Sequence, residues 1–379
     1  MNILSLRESK AITNEADFLC EIIDFHAQIL RKVRLGRKVY LDGVSFKLFQ
    51  KDRNTIYRIQ FAREKTISNW FLKMSRSRNP EMARREILGA EVVRKALGSQ
   101  TGYYHRGAIR ASVDDAYVLY TEIPGRPLHR VFYLACLTPM PNVMSGQSSV
   151  ALTVLSETFG HLGRVVAKYH KYKLQDEASS HNHVPEPPAF KGNEYTAYPY
   201  NIPPVSRHPA VSLRKAIDKI TASDAISRSI LQWVERHHEL TVNPVFVHGN
   251  LRLDNVIVHE GKICLIDFEN CGYGPPYNDL CWICCLILLT RAMPLFPWKR
   301  ARLALNSFLE GYRSVSNYDG EILLQYITMC LCEFYIGTYF SGHITAKIAG
   351  IPVSRKRFQQ LVIAILEGNI NPVLAGVNL

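Results

Sequence analysis

The sequence predicts an α+β chain in two lobes, a small mixed lobe followed by a larger, mainly helical one. Three features point there. A helix-periodic N-terminal stretch gives way near Val44 to short β-rich runs. A segment rich in helix formers comes next, followed by a further strand. The long remainder is mostly helix-periodic.

Residues 14–35 read as a helix, because Phe18, Ile22, Phe25 and Ile29 recur at helical spacing. Ile23 and Leu30 widen that apolar face. Val44–Phe49, Thr55–Ala62 and Ser68–Met74 are candidate strands, the first two separated by the turn-type run Lys51-Asp52-Arg53-Asn54. Asn79-Pro80 opens a helix over Glu81–Leu97, since proline suits the first turn. Tyr117–Glu122 is another strand, stopped by Pro124-Gly125. Residues 151–173 form an amphipathic helix with Leu155, Phe159, Leu162, Val166 and Tyr169 on one face. Asp176–Pro209 holds seven prolines and reads as a long insertion. Helical pattern resumes near Ser212 and runs to about Leu240. A short buried strand follows Pro244. Cys281 to Glu367 is mostly helical, with Gly368 as a stop signal. The implied division is 1–35 (helical segment), 36–124 (small lobe) and 125–379 (large lobe, with the insertion at about 176–209).

Apolar residues make up 47% of the chain and charged residues 21%, which excludes wholesale disorder and a fibrous chain. A chain of 379 residues can bury a core without disulfides or metals. The nine cysteines are odd in number and irregularly spaced, which fits reduced thiols in a cytoplasmic compartment. Met1–Lys10 lacks the pattern of a secretory signal. Leu280–Leu289 is too short to span a bilayer and reads as a buried helix. Within it, Cys281, Cys284 and Cys285 have metal-ligand spacing, and Cys330 and Cys332 could complete a zinc site. Their apolar surroundings favour small buried hydrophobes instead.

The charge is concentrated. The chain has 46 basic and 33 acidic residues, a net +13. Arg31–Arg110 holds 20 basic and 6 acidic residues, +14, which leaves 26 and 27, or −1, for the rest. Phosphate-bearing ligands, an anionic membrane surface or nucleic acid would each suit such a segment, as would a solvated face with no partner. No recognisable nucleic-acid motif accompanies it, which makes that partner the weakest of the three.

Chemistry-bearing residues gather between Val245 and Leu280. Asn255–His259 and Lys262–Ile266 flank a Glu260-Gly261 turn and predict a hairpin. Its outer ends carry His248, Asn250, Asp254 and Asn255 on one side, Asp267 and Glu269 on the other. A hairpin draws its ends together, so Asn255 and Asp267 are expected near one another. That oxygen pair suits a hard cation such as Mg²⁺ completed by nucleotide phosphates. A polar cluster capping two strands is the plainer alternative.

These segments resemble the aminoglycoside phosphotransferase and choline kinase family, which has a protein-kinase-like fold with an antiparallel-sheet N-lobe. His248-Gly249-Asn250-Leu251 through Asn255 is similar to its H-G-D-x-x-x-x-N catalytic loop. Leu265-Ile266-Asp267-Phe268-Glu269 resembles its metal-binding segment, and Gly274-Pro275-Pro276 with Asp279-Leu280 resembles the continuation. Upstream, Trp70-Phe71-Leu72-Lys73-Met74 looks like the strand with the phosphate-holding lysine. Glu86 is similar to the helix glutamate that pairs with it. Tyr117–Leu128 resembles the hinge, and Leu162-Gly163-Arg164 through His170 the helix under the catalytic loop. The likeness covers roughly Val44 to Leu289.

The resemblance implies ATP and Mg²⁺ as cofactors. Lys73 would contact the α- and β-phosphates, and Glu86 would hold it. Asn255 and Asp267 would coordinate the metal. The backbone of Thr121, Glu122 and Ile123 would meet the purine. Asp279 would brace the catalytic loop by accepting backbone hydrogen bonds and could cap the helix beginning at Leu280. His248 would order the loop. Lys51, Arg53 and Asn54 would lie over the phosphates in a turn without the usual glycines.

One departure bears on activity. Asn250 stands where the family has its catalytic aspartate. An amide can orient a hydroxyl but cannot take its proton. Losing a general base typically costs on the order of 10²–10⁴ in rate. The sequence therefore admits three functions. One is a kinase of a small-molecule hydroxyl, on a sugar, amino alcohol or antibiotic. Another is a nucleotide-binding pseudokinase. The third is a kinase of a lipopolysaccharide-core or other membrane glycolipid sugar, peripheral to the membrane through the basic lobe.

Overall fold

The computed structural model describes residues 3–41, 44–51, 54–63, 66–75, 77, 79–98, 103, 108–112, 116–137, 147–172, 213, 217, 225–236, 242–294, 296–339, 347–348, 351–369 and 376–377. The predicted 176–209 insertion lies outside these residues. The chain divides into two compact units. One comprises Met1–Arg94, His105–Pro124 and Leu265–Glu269; the other comprises Lys95–Tyr104, Gly125–Cys264 and Asn270–Leu379.

The first unit is a six-stranded sheet with a helix on each face. Its strands are β1 (Lys38–Leu41), β2 (Val44–Lys51), β3 (Asn54–Arg63), β4 (Thr66–Ser75), β5 (Ala108–Ser112) and β6 (Tyr117–Thr121). They run in the order β1-β2-β3-β4-β6-β5. Every pairing between neighbours is antiparallel. The three strands expected between Val44 and Met74 are present, each a little longer than predicted.

Two helices cover the sheet: α1 (Ile3–Lys32) and α2 (Pro80–Leu97). Strand side chains alternate between faces. Trp70, Leu72 and Met74 of β4 therefore share one core with Leu19, Ile22, Ile23, Ala27 and Leu30 of α1. Phe71 points the other way and packs with Met82, Ala83, Val118 and Tyr120. Lys73 has the same parity as Phe71, so it falls on the α2 face. The Tyr57 hydroxyl donates to the Leu30 carbonyl and satisfies an orphan group at the end of α1.

Two expectations need correction here. The buried face of α1 is Leu19, Ile22, Ile23, Ala27 and Leu30, whereas Phe18, Phe25 and Ile29 are exposed. The helix is apolar on two flanks, and periodicity alone could not say which one the sheet would cover. The sequence also sets 1–35 apart from the small lobe, but α1 supplies part of that lobe's core and falls in the same compact unit.

The second unit is mostly helical. It contains α3 (Leu128–Leu137), α4 (Gln147–Lys171), α5 (Ala225–Arg236), α6 (Tyr277–Leu288), α7 (Trp298–Arg313), α8 (Gly320–Tyr339) and α9 (Arg355–Leu366). The strand β7 (Arg126–Pro127) pairs with β9 (Val256–His259), which adjoins β10 (Lys262–Leu265). A second pair joins β8 (Val245–Val247) to β11 (Gly272–Gly274). The last pair is β12 (Lys347–Ile348) with β13 (Ile351–Pro352).

The helices α4 and α7 cross at backbone contact. A Cβ on Gly163 would fall on the Phe308 carbonyl, and one on Gly311 would fall on the Gly160 carbonyl. All of α6 is buried, Cys281, Cys284 and Cys285 included. Burial pushes these three thiols above the ordinary range, so they stay protonated and behave as packing groups. Among the described residues, no helix is long and apolar enough to cross a membrane.

Candidate active site

In the first unit the site is built around one buried lysine. Lys73 lies near the C-terminal end of β4, paired with Ile56 on β3 and Val118 on β6. Its Nζ donates to Glu86 on α2 and to Asp267, and stands 3.0 Å from Glu269 Oε2. Burial by itself would push the ammonium's pKa down. The carboxylates of Glu86, Asp267 and Glu269 outweigh that effect and hold it well above the ordinary lysine value. Lys73 is therefore a permanent cation, and only 8% of its side chain is accessible.

Glu86 has a second task. Its other carboxylate oxygen accepts from the Phe268 N–H at 3.1 Å. One glutamate thus ties β4, α2 and the 267–269 segment together. Asp267 has φ +70, in the left-handed region that L residues rarely occupy. Beneath the segment lies Gly89, where a Cβ would collide with the Phe268 side chain. At the mouth of β3, the Asn54 amide donates to Glu269. Sequence reading noted Glu269 and Asn54 without placing them in one cluster. Only the antiparallel β2–β3–β4 register brings position 54 beside the strand that carries Lys73.

The expected purine-facing residues also lie in this unit. Thr121 ends β6 opposite Trp70, and the Glu122 N–H donates to the Asn69 carbonyl at 2.9 Å. Glu122 also pairs with Arg58 at 3.0 Å. Thr121, Glu122 and Ile123 are each half-buried. Lys51 ends β2, while Arg53 lies outside the described residues.

In the second unit the HGN loop leaves β8 and is held by Asp279. That carboxylate accepts from the His248 N–H at 2.8 Å and from the Gly249 N–H at 2.9 Å. It also accepts from the Tyr169 hydroxyl at 2.6 Å and meets His170 Nε2 at 3.2 Å, both on α4. Burial would raise the Asp279 pKa, but the bond and charge of His170, with His248 and Tyr169, carry it below the ordinary value. Gly249 has φ +74, which suits a residue without Cβ. The expectation that Asp279 caps a helix starting at Leu280 is corrected. The helix starts at Tyr277, so Asp279 sits inside its first turn and spends its carboxylate on the loop.

Asn250 and Asn255 meet within this loop. The Asn255 amide nitrogen donates to the Asn250 carbonyl at 2.8 Å, across a single 3₁₀ turn over Leu253–Asn255. Asn255 is buried and Asn250 half-buried.

A family model described as "Phosphotransferase enzyme family" (APH) matches residues 60–318. The chain belongs to this phosphotransferase family. Among solved structures, amicoumacin kinase hAmiN in complex with AMP-PNP, Ca²⁺ and Ami is similar at 16% identity. That likeness covers 85% of this chain and 88% of that one, at a TM-score of 0.50. Macrolide 2'-phosphotransferase MphH from Brachybacterium faecium is also similar, with 16% identity, 91% and 97% coverage and a TM-score of 0.47. A mouse protein, acyl-CoA dehydrogenase family member 10, is 30% identical over 78 residues, 20% of this chain. The chain spans only 7% of that relative's length. At 16% identity the amicoumacin kinase structure speaks to fold, and the fold of this phosphotransferase is kinase-like.

Proposed function

We propose that this phosphotransferase uses ATP and moves the γ-phosphoryl group onto a hydroxyl of a small molecule such as a sugar, an amino alcohol or an antibiotic. The observation that carries the reading is Lys73, a buried cation held by Glu86 and Asp267 on three separate elements. A lysine so enclosed by carboxylates is a poor structural choice on stability grounds alone. With three carboxylates to one ammonium, the cluster suits a polyanion that arrives with a divalent cation. Amicoumacin kinase was solved with AMP-PNP and Ca²⁺, which supports a nucleotide and a divalent cation here.

In this reading Lys73 holds the α- and β-phosphates, and Glu86 positions it. Asp267 and Asn255 supply hard oxygen ligands of the kind Mg²⁺ prefers. The metal, once bound, neutralises charge that develops on the transferred group. Backbone groups of Thr121, Glu122 and Ile123 hold the purine. Asn250 orients the acceptor hydroxyl without taking its proton, and positioning supplies most of the catalysis.

The test is thermal denaturation with Mg-ATP, then turnover over a panel of hydroxyl acceptors. The wild type should gain stability with Mg-ATP, and Asp267→Asn should abolish the gain. A folded wild type with no Mg-ATP effect would refute the reading. Asn250 favours a second reading, a pseudokinase that binds Mg-ATP without transfer. Asn250→Asp should raise turnover by on the order of 10²-fold or more if the fold still places an acceptor. Binding without turnover in both forms would decide for the pseudokinase.

A further inference from the structure

The outer flank of α1 was expected inside the core and lies outside it. Phe18, Phe25 and Ile29 fall within about 40° of one another on the helix. Phe25 is 84% exposed and Ile29 50%. Leu35, just past the helix end, is 63% exposed. The backbone there is ordered: the Arg37 N–H donates to the Arg34 carbonyl at 3.1 Å, and the Leu48 N–H to the Arg37 carbonyl at 3.1 Å.

The same stretch carries dense positive charge. From Ile29 to Tyr40 there are five basic residues (Arg31, Lys32, Arg34, Arg37, Lys38) and no acidic ones. Lys32, Arg34 and Arg37 are exposed. Among the residues of the helix whose side chains are described, Asp17, Glu21 and Asp24 are exposed acids; Glu21 lies one turn before Phe25 on the same flank, and Asp24 accepts from the Tyr117 hydroxyl.

We infer that the outer flank of α1 and the turn that follows it, from Phe25 to Arg37, bind an anionic lipid bilayer. Phe25, Ile29 and Leu35 enter the headgroup boundary, and Lys32, Arg34 and Arg37 meet lipid phosphates. The charge complementarity selects anionic over zwitterionic lipid. The aliphatic and aromatic groups select a bilayer over nucleic acid, because nothing in a duplex backbone would bury Ile29 or Leu35. A single amphipathic helix with few basic residues would bind weakly, and here both signals coincide.

The experiment uses the full chain and vesicles of phosphatidylcholine, with and without phosphatidylglycerol. Sedimentation with the anionic vesicles is expected, and it should weaken as salt rises. Arg34→Ala with Arg37→Ala should lower the partition coefficient about 30-fold, at about 1 kcal/mol for each charge near the surface. Ile29→Asp should abolish sedimentation while leaving the melting temperature unchanged, since that side chain lies outside the core. A Phe25→Trp probe should shift to the blue on adding anionic vesicles. No sedimentation at low salt, an unshifted probe, equal binding to zwitterionic vesicles, or binding to nucleic acid in place of vesicles would each overturn the inference. A dimer lost in Ile29→Asp, without vesicle binding, would assign the face to a second copy and overturn it as well.

Discussion

Lys73 and Glu86 form a buried pair whose value lies mostly in what happens when one member is removed. Lys73→Met leaves Glu86 charged in a site with 2% of its side chain exposed, at a cost of about 3 kcal/mol. Glu86→Gln removes the charge while an acceptor remains for the Phe268 N–H. In a double-mutant cycle read by urea denaturation, the two substitutions should couple by about 1–3 kcal/mol. Additive effects would show that Lys73 draws its support from Asp267 and Glu269 alone. Asp279 predicts a pH effect. Its pKa lies below the ordinary 3.8 in the folded protein. The stability it contributes is therefore complete above about pH 3.8 and is lost as the pH falls through the lower, native value. Asp279→Asn should destabilise the protein by roughly 3 kcal/mol at neutral pH. The difference from wild type should shrink in acid unfolding titrations below that point.

At the scale of the element, α2 both packs against the sheet and holds the 267–269 segment in place. Gly89 tests that link. Alanine normally favours a helix interior over glycine by about 1 kcal/mol. At this position the added methyl meets Phe268. Overpacking of this kind typically costs about 1–3 kcal/mol, so the steric effect should win. Gly89→Ala should lower the melting temperature and reduce the Mg-ATP stabilisation, because Phe268 moves with Asp267. A higher melting temperature with full nucleotide response in that variant would show that Phe268 is free to yield. The periodicity of α2 was readable in the chain, as was Glu86. The need for glycine at this position was not, because its cause is a side chain 179 positions away, from 89 to 268. The same holds for α1, where local spacing showed two apolar flanks and the sheet chose one.

On the scale of the whole molecule, the thiols offer a direct check. None of the nine cysteines forms a disulfide; Cys20 is half-buried and the other eight are buried. Burial raises Cys136 to about 12 and also lifts Cys281, Cys284, Cys285 and Cys332. A thiol-specific disulfide reagent at neutral pH should modify about one thiol quickly in the native protein and all nine in guanidinium. Rapid modification of several thiols under native conditions would mean that the α6 and α8 packing opens readily. The distribution of charge belongs to this scale too. The +14 segment from Arg31 to Arg110 lies almost entirely in the sheet unit, which holds both the lysine cluster and the basic face of α1.

The sequence by itself determined the three strands between Val44 and Met74, the one that carries Lys73 among them, together with the helix of Glu86, the HGN loop and the IDFE segment. Each is a local pattern of spacing or parity, and the family motifs within them are contiguous. The tertiary structure alone decided that Glu86 serves two elements, that Asn54 and Glu269 join the lysine cluster, and that Asp279, already expected to brace the loop, sits inside the first turn of its helix. It also decided which flank of α1 stays in solvent. Those outcomes depend on strand register and helix rotation, which are set by contacts between residues far apart in the chain.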